Sequence, residues 1–384
     1  MKVAVLGYGT VGAGVYSMLS DAPGMEAGPV LVRPGKAVES FMVSDAALIF
    51  GDPTVDAVVE TLGGLDPAYS YGMRALEAGK HFITANKAMV AAHGLELAAL
   101  AREKGAAFLF SAACGGGVPF LHNLALSAET DRIEAVSGIL NGTTNYMLDA
   151  MQRRNLSYGD ALREAQSLGY AESDPTADVS GLDALRKMQL ACAVAFGVLP
   201  QSGMLCEGME HFTAADVEDI QSRGLVCRLM ARGSRAGESV SAYVEPVLFP
   251  RAAPESSVFT NNNMARYTGK RCGSIVLMGQ GAGRFPTASA VLRDLAATQQ
   301  GARSMFPENC RAAEADNREA AHSYYIRTGG FAAVRLSLRS VLAQGEVVRA
   351  VTEPMSAEKM HALAQNIRKD GNDLFFAALE EELC

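Results

Sequence analysis

One short stretch near the start constrains this chain more than any other: an apolar run that passes directly into a glycine turn. Lys2-Val3-Ala4-Val5-Leu6 reads as a buried strand. Gly7-Tyr8-Gly9-Thr10-Val11-Gly12 follows it without a break and opens a helical pattern. In that setting Gly7 permits the tight turn, Gly9 lets backbone approach a pyrophosphate, and Gly12 lets the helix pack closely on its strand. Tyr8, Thr10 and Val11 complete the turn at a helix N-terminus, where an anion is held. A chain that begins this way is expected to fold as a parallel sheet wrapped by helices and to bind a dinucleotide.

The pattern continues as that reading requires. Residues 2–112 alternate short apolar runs with helical segments. Strands are predicted at Lys2–Leu6, Pro29–Arg33, Ala57–Thr61, His81–Thr84 and Ala107–Phe110. Helices are predicted at Val11–Ser20, Pro67–Ala78 and Ala88–Lys104, and residues 36–50 are too short for a further strand-helix unit. The end of the second strand selects the cofactor. An acid there would hold the ribose hydroxyl of NAD; this chain has Arg33, with Lys36 just after it, and a cation suits the 2′-phosphate of NADP. NADP is therefore expected, with NAD the alternative. Thr61-Leu62-Gly63-Gly64 and Thr84-Ala85-Asn86-Lys87 close two further strands, at carboxyl ends where such sheets bind ligands. Lys87 stands at a helix start, an electrostatically poor place for a cation unless it has work to do.

Cys114-Gly115-Gly116-Gly117 followed by Val118-Pro119 marks a crossing into a second domain. A helix at Phe120–Ala128 and a strand at Ile133–Leu140 precede a polar turn, Asn141–Tyr146. The long helix Leu182–Phe196 and strands at Val240–Val247, Asn262–Tyr267 and Ser274–Met278 follow, an α+β arrangement. Pro286–Thr298 reads as a helix returning to the first domain, and 302–322 as a polar linker. A small appendage follows, with strands Tyr324–Arg327, Val347–Thr352 and Asp373–Ala378 and helices Ala332–Ala343 and Ser356–Lys369. The domains are thus 1–125 with a return segment at 280–305, 126–279, and 320–384.

The net charge of −8 argues against a nucleic-acid or acidic-membrane surface. Seven scattered cysteines without a CxxC pair fit free thiols in a reducing cytosol. The strand at the second residue leaves no room for a leader, and the apolar run Met188–Leu199 is too short to span a bilayer. A cytoplasmic protein is expected.

An acid-rich turn then runs straight into an apolar helix over residues 169–187. Asp183 and Lys187 lie four apart and share a helix face; Glu172, Asp174 and Asp178 lie just upstream, on a segment broken by Pro175 and Gly181. Carboxylates can hold a substrate ammonium group and a positioned lysine can move a proton. Taken alone, the pair reads as an exposed helix salt bridge and the acids as a solvated loop. Beside a dinucleotide turn they point to a dehydrogenase acting on an amino-acid-like substrate.

Five segments in this order resemble homoserine dehydrogenases: GYGTVG at 7–12, TANK at 84–87, GILNGTTNY at 138–146, GYAESDPTADVSGLDALRK at 169–187 and GAGRFPTASAVLRDL at 281–295. The resemblance covers about residues 1–300. It implies a Rossmann-type domain interrupted by a dimerising α+β catalytic domain, and the NAD(P)-dependent interconversion of L-homoserine and L-aspartate 4-semialdehyde in threonine and methionine biosynthesis. On the matching positions it implies Lys187 as the acid/base, Asp183 as its partner, and Lys87 near cofactor and substrate. Glu172 and Asp178 fall among the substrate-pocket acids, Gly142 and Thr143 on a loop closing over the substrate, and Gly283 and Thr287 on the returning segment near the cofactor.

Two departures stand out. The family's glycine-rich crossing usually begins with a glutamate that helps bind a monovalent cation; here the residue is Ser111, a poorer anchor, so no metal is expected at Cys114–Val118. The tail at 323–384 resembles a shortened ACT domain, but has Thr328-Gly329-Gly330 where an acidic-Pro-Gly ligand turn belongs. Two other functions stay open: a related oxidoreductase on another small amino-acid substrate, and a nucleotide-binding sensor without turnover.

Overall fold

The computed structural model describes residues 1–329, 337–345 and 347–380. The chain packs as two compact units. The first is Met1–Ile133, Gln189–Leu199 and Gly279–Ala312; the second is Glu134–Met188, Pro200–Met278 and the described chain from Ala313 onward.

The first unit opens with β1 (Lys2–Leu6), α1 (Thr10–Leu19), β2 (Glu26–Leu31), β3 (Met42–Val43), α2 (Ala47–Phe50), β4 (Ala57–Glu60), α3 (Ala68–Glu77), β5 (His81–Thr84), α4 (Lys87–Lys104), β6 (Phe108–Leu109) and α5 (Phe120–Thr130). Its sheet runs β3-β2-β1-β4-β5-β6, every pair parallel. The order reverses between β1 and β4, so a crevice opens beyond their carboxyl ends, where the glycine turn lies. Val3, Ala4, Val5, Leu6, Val58, Val59, Phe82 and Ile83 are completely buried, as strands covered on both faces must be.

Next come β7 (Ile133–Ile139), α6 (Gly142–Arg154), α7 (Tyr158–Ser167), α8 (Thr176–Val179), α9 (Leu182–Phe196), β8 (Val198–Ser202), β9 (Leu205–Cys206), α10 (Ala214–Ser222), β10 (Leu225–Ala236), β11 (Ser239–Pro250), β12 (Asn262–Gly269) and β13 (Gly273–Gln280). They are followed by α11 (Arg284–Gln299), β14 (Arg311–Glu314), β15 (Ala321–His322), β16 (Tyr324–Thr328), β17 (Leu338–Ala343), β18 (Val348–Thr352), β19 (Met355–Ser356), α12 (Ala357–Lys369) and β20 (Leu374–Leu379). The large sheet of the second unit runs β13-β12-β7-β10-β11-β20-β16-β18-β17, with β9 also on β11. The hairpin β10–β11 pairs without interruption from Leu225↔Pro250 to Ala236↔Ser239. The C-terminal region joins this sheet through β20, parallel to β11 on one side and antiparallel to β16 on the other. Met230, Phe249, Ile326, Met360 and Phe376 share one apolar core.

Several expectations needed correction. Asn141–Tyr146 is not a free turn: Asn141 accepts the Thr144 N–H at 2.8 Å and caps α6, which begins at Gly142. Small polar residues favour caps and turns alike, and burial of Tyr146, Met147, Ala150 and Met151 decides for the helix. The helix expected at Ala332–Ala343 is a strand over Leu338–Ala343, paired to β18; residues 332–336 lie outside the described residues. Sheet pairing there overrides a helix-favouring composition. The 302–322 linker carries the short strands β14 and β15, and β10 was not foreseen at all. No helix among the described residues is long and apolar enough to cross a membrane.

In the first unit α11 lies against α1 because Gly14 has no side chain. A Cβ there would stand 2.8 Å from the Arg284 carbonyl oxygen and 3.2 Å from the Ala288 Cβ. Gly14→Val is expected to destabilise the protein by about 1–3 kcal/mol, measured by urea unfolding. Further along α11, the fully buried Asp294 accepts the Ser111 N–H at 2.8 Å. Burial pushes its carboxyl up to about 7, against the opposing pull of the Ser111 hydrogen bonds and Arg293. The folded state therefore keeps a proton that the unfolded chain releases near pH 3.8. The stability this group contributes is whole below that value and is lost as pH rises through about 7. Between pH 5 and pH 8, wild type should lose more unfolding free energy than Asp294→Asn; parallel losses would contradict the assignment.

Candidate active site

The glycine turn is built as its sequence demands. Gly7 takes φ +97°, which a side chain would strain, and its N–H donates to the Leu31 carbonyl at 3.0 Å. A Cβ on Gly12 would stand 2.1 Å from the Gly7 carbonyl oxygen and 2.7 Å from Thr61 Oγ1, so only glycine fits. Gly9, the cap residue of α1, faces open space, and Tyr8, Gly9 and Thr10 are exposed at the helix N-terminus, with Val11 half-buried. A cavity of about 1080 Å³ begins at this turn. Arg33, Lys36 and Glu39 line it beyond the end of β2, with Tyr8 and Phe41 as apolar wall. Tyr16 stacks on Phe41 from behind, ring centroids 4.3 Å apart. A glycine turn at a helix N-terminus opening into a cavity with cations past β2 fits a nicotinamide dinucleotide.

At the ends of β4 and β5 the structure shows a centre that sequence reasoning missed. Glu60 is completely buried and accepts the N–H groups of Leu62 at 2.6 Å and Gly63 at 3.2 Å, and the Thr84 hydroxyl at 2.5 Å. Burial raises its carboxyl above the usual range despite these donors. Thr84 Oγ1 accepts the Asn86 N–H at 2.9 Å, and Asn86 caps α4 and donates to the Gly64 carbonyl at 2.6 Å. Lys87, half-buried, is the first residue of that capped helix. Thr61 braces the glycine turn, donating to the Leu6 carbonyl at 3.0 Å and reaching that of Gly7 at 3.3 Å. The sequence cue was a charged residue closing the apolar run AVVE.

The second unit brings the catalytic candidates together. Lys187 and Asp183 are each only 9% exposed, with Nζ 2.7 Å from Asp183 Oδ2 and donating to the Leu140 carbonyl at 2.6 Å. This is a buried pair, not the solvated helix pair that the spacing also allowed. Asn141 Nδ2 donates to Asp183 Oδ2 at 2.9 Å and to Asp178 Oδ1 at 2.7 Å, joining the two acids. Thr143 Oγ1 lies 3.1 Å from Asp178 Oδ2 and 2.5 Å from the Tyr170 carbonyl oxygen. Gly142 opens α6 against Asn261, where a Cβ would be 2.8 Å from the carbonyl oxygen. Glu172 is not drawn into this network: it is exposed, and its backbone carbonyl accepts from Gln166. Asp174 caps Thr176, whose two hydrogen bonds lower its pKa. Asn141 itself went unassigned, although an asparagine just after a strand and before small polar residues is a readable cap signal.

Gly283, exposed with φ +123°, caps α11, and the buried Thr287 returns its N–H to the Gly283 carbonyl at 3.1 Å. At the start of the crossing Ser111 is buried, its N–H on Asp294 and its hydroxyl 3.8 Å from Met305 Sδ. No group of three or more His, Cys, Asp or Glu among the described residues could hold a metal ion.

Comparison with known proteins gives the family. The family model for the NAD-binding domain of homoserine dehydrogenase matches residues 7–111, and that for homoserine dehydrogenase matches residues 119–296. The homoserine dehydrogenase of Corynebacterium glutamicum is 38% identical over 314 residues, 76% of this chain and 70% of the relative. That of Synechocystis is 37% identical over 319 residues, 77% of this chain and 72% of the relative. The crystal structure of the Thiobacillus denitrificans homoserine dehydrogenase superposes with a TM-score of 0.86 at 30% identity, covering 99% of this chain and 98% of that one. The chain belongs to the homoserine dehydrogenase family.

Proposed function

We propose that this protein is an NADP-preferring homoserine dehydrogenase that interconverts L-homoserine and L-aspartate 4-semialdehyde, with Lys187 as its acid/base. The buried Asn141–Asp178–Asp183–Lys187 network carries the reading. Two carboxylates against one ammonium leave an unbalanced negative charge in a partly desolvated place, and a substrate amino group would balance it. The bound nicotinamide supplies or accepts the hydride. Asp183 and the Leu140 carbonyl direct two of the lysine's three N–H donors and favour its charged form. As the aldehyde is reduced, negative charge grows on the carbonyl oxygen; Lys187 stabilises it and delivers a proton. Oxidation reverses the transfer and is favoured at higher pH. Asp178, tied to Asn141 and Thr143, is assigned to the substrate ammonium; for Glu172, exposed and outside the network, that role rests on the family resemblance alone. Gly142 and Thr143 border the substrate, and Lys87 orients substrate and cofactor.

Gly7 to Gly12 hold the pyrophosphate, with Thr61 and Thr84 supporting that side and Gly283 and Thr287 completing it. Arg33 is assigned to the 2′-phosphate because it lines the cavity beyond β2 together with Lys36. The family resemblance supports a cytoplasmic homodimer serving threonine and methionine synthesis.

Lys187→Met should lower kcat by about 10²–10⁴-fold while NADPH binding, followed by fluorescence, stays intact; retained turnover would remove Lys187 from the role. Arg33→Ala should weaken NADPH about tenfold more than NADH. Equal losses in a binding titration would mean that Arg33 does not read the phosphate. Activity itself is tested by following NADPH at 340 nm with homoserine and aspartate semialdehyde.

A further inference from the structure

Behind the acid turn lies a contact with the C-terminal region. Arg368, in the last turn of α12, meets Glu207 with both ends of its guanidinium: one nitrogen donates to Oε2 at 2.9 Å and the other to Oε1 at 2.6 Å. The guanidinium also donates to the Leu374 carbonyl at 2.8 Å, where β20 begins. Glu207 is buried, and its N–H fixes it to the Val244 carbonyl on β11 at 2.8 Å.

The residues around Glu207 press on the turn that delivers Asp178 and Asp183. Met209 donates its N–H to the Val179 carbonyl at 2.9 Å, and Cys206 Sγ lies 3.1 Å from the Ser180 carbonyl oxygen. The approach is close enough to require glycine on both sides. A Cβ on Gly208 would stand 2.3 Å from the Val179 oxygen, and one on Gly181, at φ +83°, would stand 3.1 Å from Cys206 Sγ. Gly181 accepts the Leu185 N–H at 2.9 Å, the first turn of the helix that carries Asp183 and Lys187. Asn141 holds the acids from one side and residues 206–209 hold their backbone from the other.

We infer that Arg368 and Glu207 are positioning residues for the reaction: the C-terminal helix sets the spacing of Asp178 and Asp183 through this ion pair. The inference rests on the proposal that those acids bind substrate. Removing one partner would leave a buried charge uncompensated and let residues 206–209 shift. The turn 178–183 would follow, and substrate affinity would fall while the glycine turn of the first unit is untouched.

The test compares wild type with Arg368→Gln, Arg368→Lys, Glu207→Gln and the double variant Glu207→Gln/Arg368→Gln, which leaves no unpaired charge and guards against a single variant that fails to fold. Arg368→Gln and the double variant should raise the homoserine KM about tenfold, with the NADPH Kd unchanged and part of the loss recovered in Arg368→Lys. Hydrogen exchange should quicken at residues 176–187 and not at residues 1–20. An unchanged homoserine KM and unchanged exchange at 176–187 in the folded double variant would overturn the proposal, as would equal losses for both ligands. If wild type does not turn over homoserine, the reading of function fails instead. The exchange measurement still decides whether Arg368 orders the turn.

Discussion

A buried amide holding two carboxylates apart at fixed distance is the constraint on which the second unit turns. Asp178 and Asp183 come from either side of a glycine break, one on the four-residue helix α8 and the other in the first turn of α9. Left alone, two such acids would repel each other. Asn141 donates one N–H to each, Thr143 adds a hydroxyl near Asp178, and Lys187 neutralises Asp183. Breaking a buried pair of this kind costs on the order of 3–5 kcal/mol. The network therefore specifies the position of the lysine. The arrangement exists because only Leu140 and Asn141 separate β7 from α6, with Asn141 serving as helix cap through its oxygen and as clamp through its nitrogen.

The first unit solves a different problem, bringing backbone rather than side chains to a ligand. Gly12 must lie on Gly7, and Gly7 on Leu31, before a phosphate can reach the start of α1. The carboxyl ends of β4 and β5 are then locked by one buried carboxylate. Glu60 gathers two N–H donors and the Thr84 hydroxyl, and through Thr84 and Asn86 it fixes where α4 starts and so where Lys87 leaves the backbone. A carboxylate completely removed from water is tolerated because each of its oxygens accepts a donor.

How much of this could be read from the residues depended on whether the cause was local. The glycine turn, the parallel strands and helix α9 were legible because period and steric need are written in consecutive residues. Asp183 and Lys187 share a face by spacing alone, but spacing cannot say whether that face is wet; the Leu140 carbonyl and Asn141, more than 40 residues away, decide it. Glu60 left only the cue of a charge closing an apolar run: Leu62 and Gly63 are local partners, but the Thr84 hydroxyl that completes the centre lies on the next strand. The strand Leu338–Ala343 was misread because its leucine, arginine and alanine favour helix until β18 offers a ladder. Glu172 was legible as part of a motif, yet the structure gives its carboxylate no partner in the network.

The tail's place in the sheet bears on what it can do. A regulatory module that docks and releases needs an interface it can leave. Here β20 pairs with β11, so withdrawing the region would bare the edges of both strands and open a core shared by Met230, Phe249, Ile326, Met360 and Phe376. Burying that much apolar surface favours permanent attachment. Arg327 reinforces it from the other face of the strand pair, reaching Asp216 on α10 at 2.8 Å and the His211 carbonyl at 2.8 Å. A region bound this firmly acts on the acid turn by shape, through contacts that are always made. Any ligand acting through it would have to alter the set of α12 against β20, because detaching the region would dismantle the unit that holds Lys187.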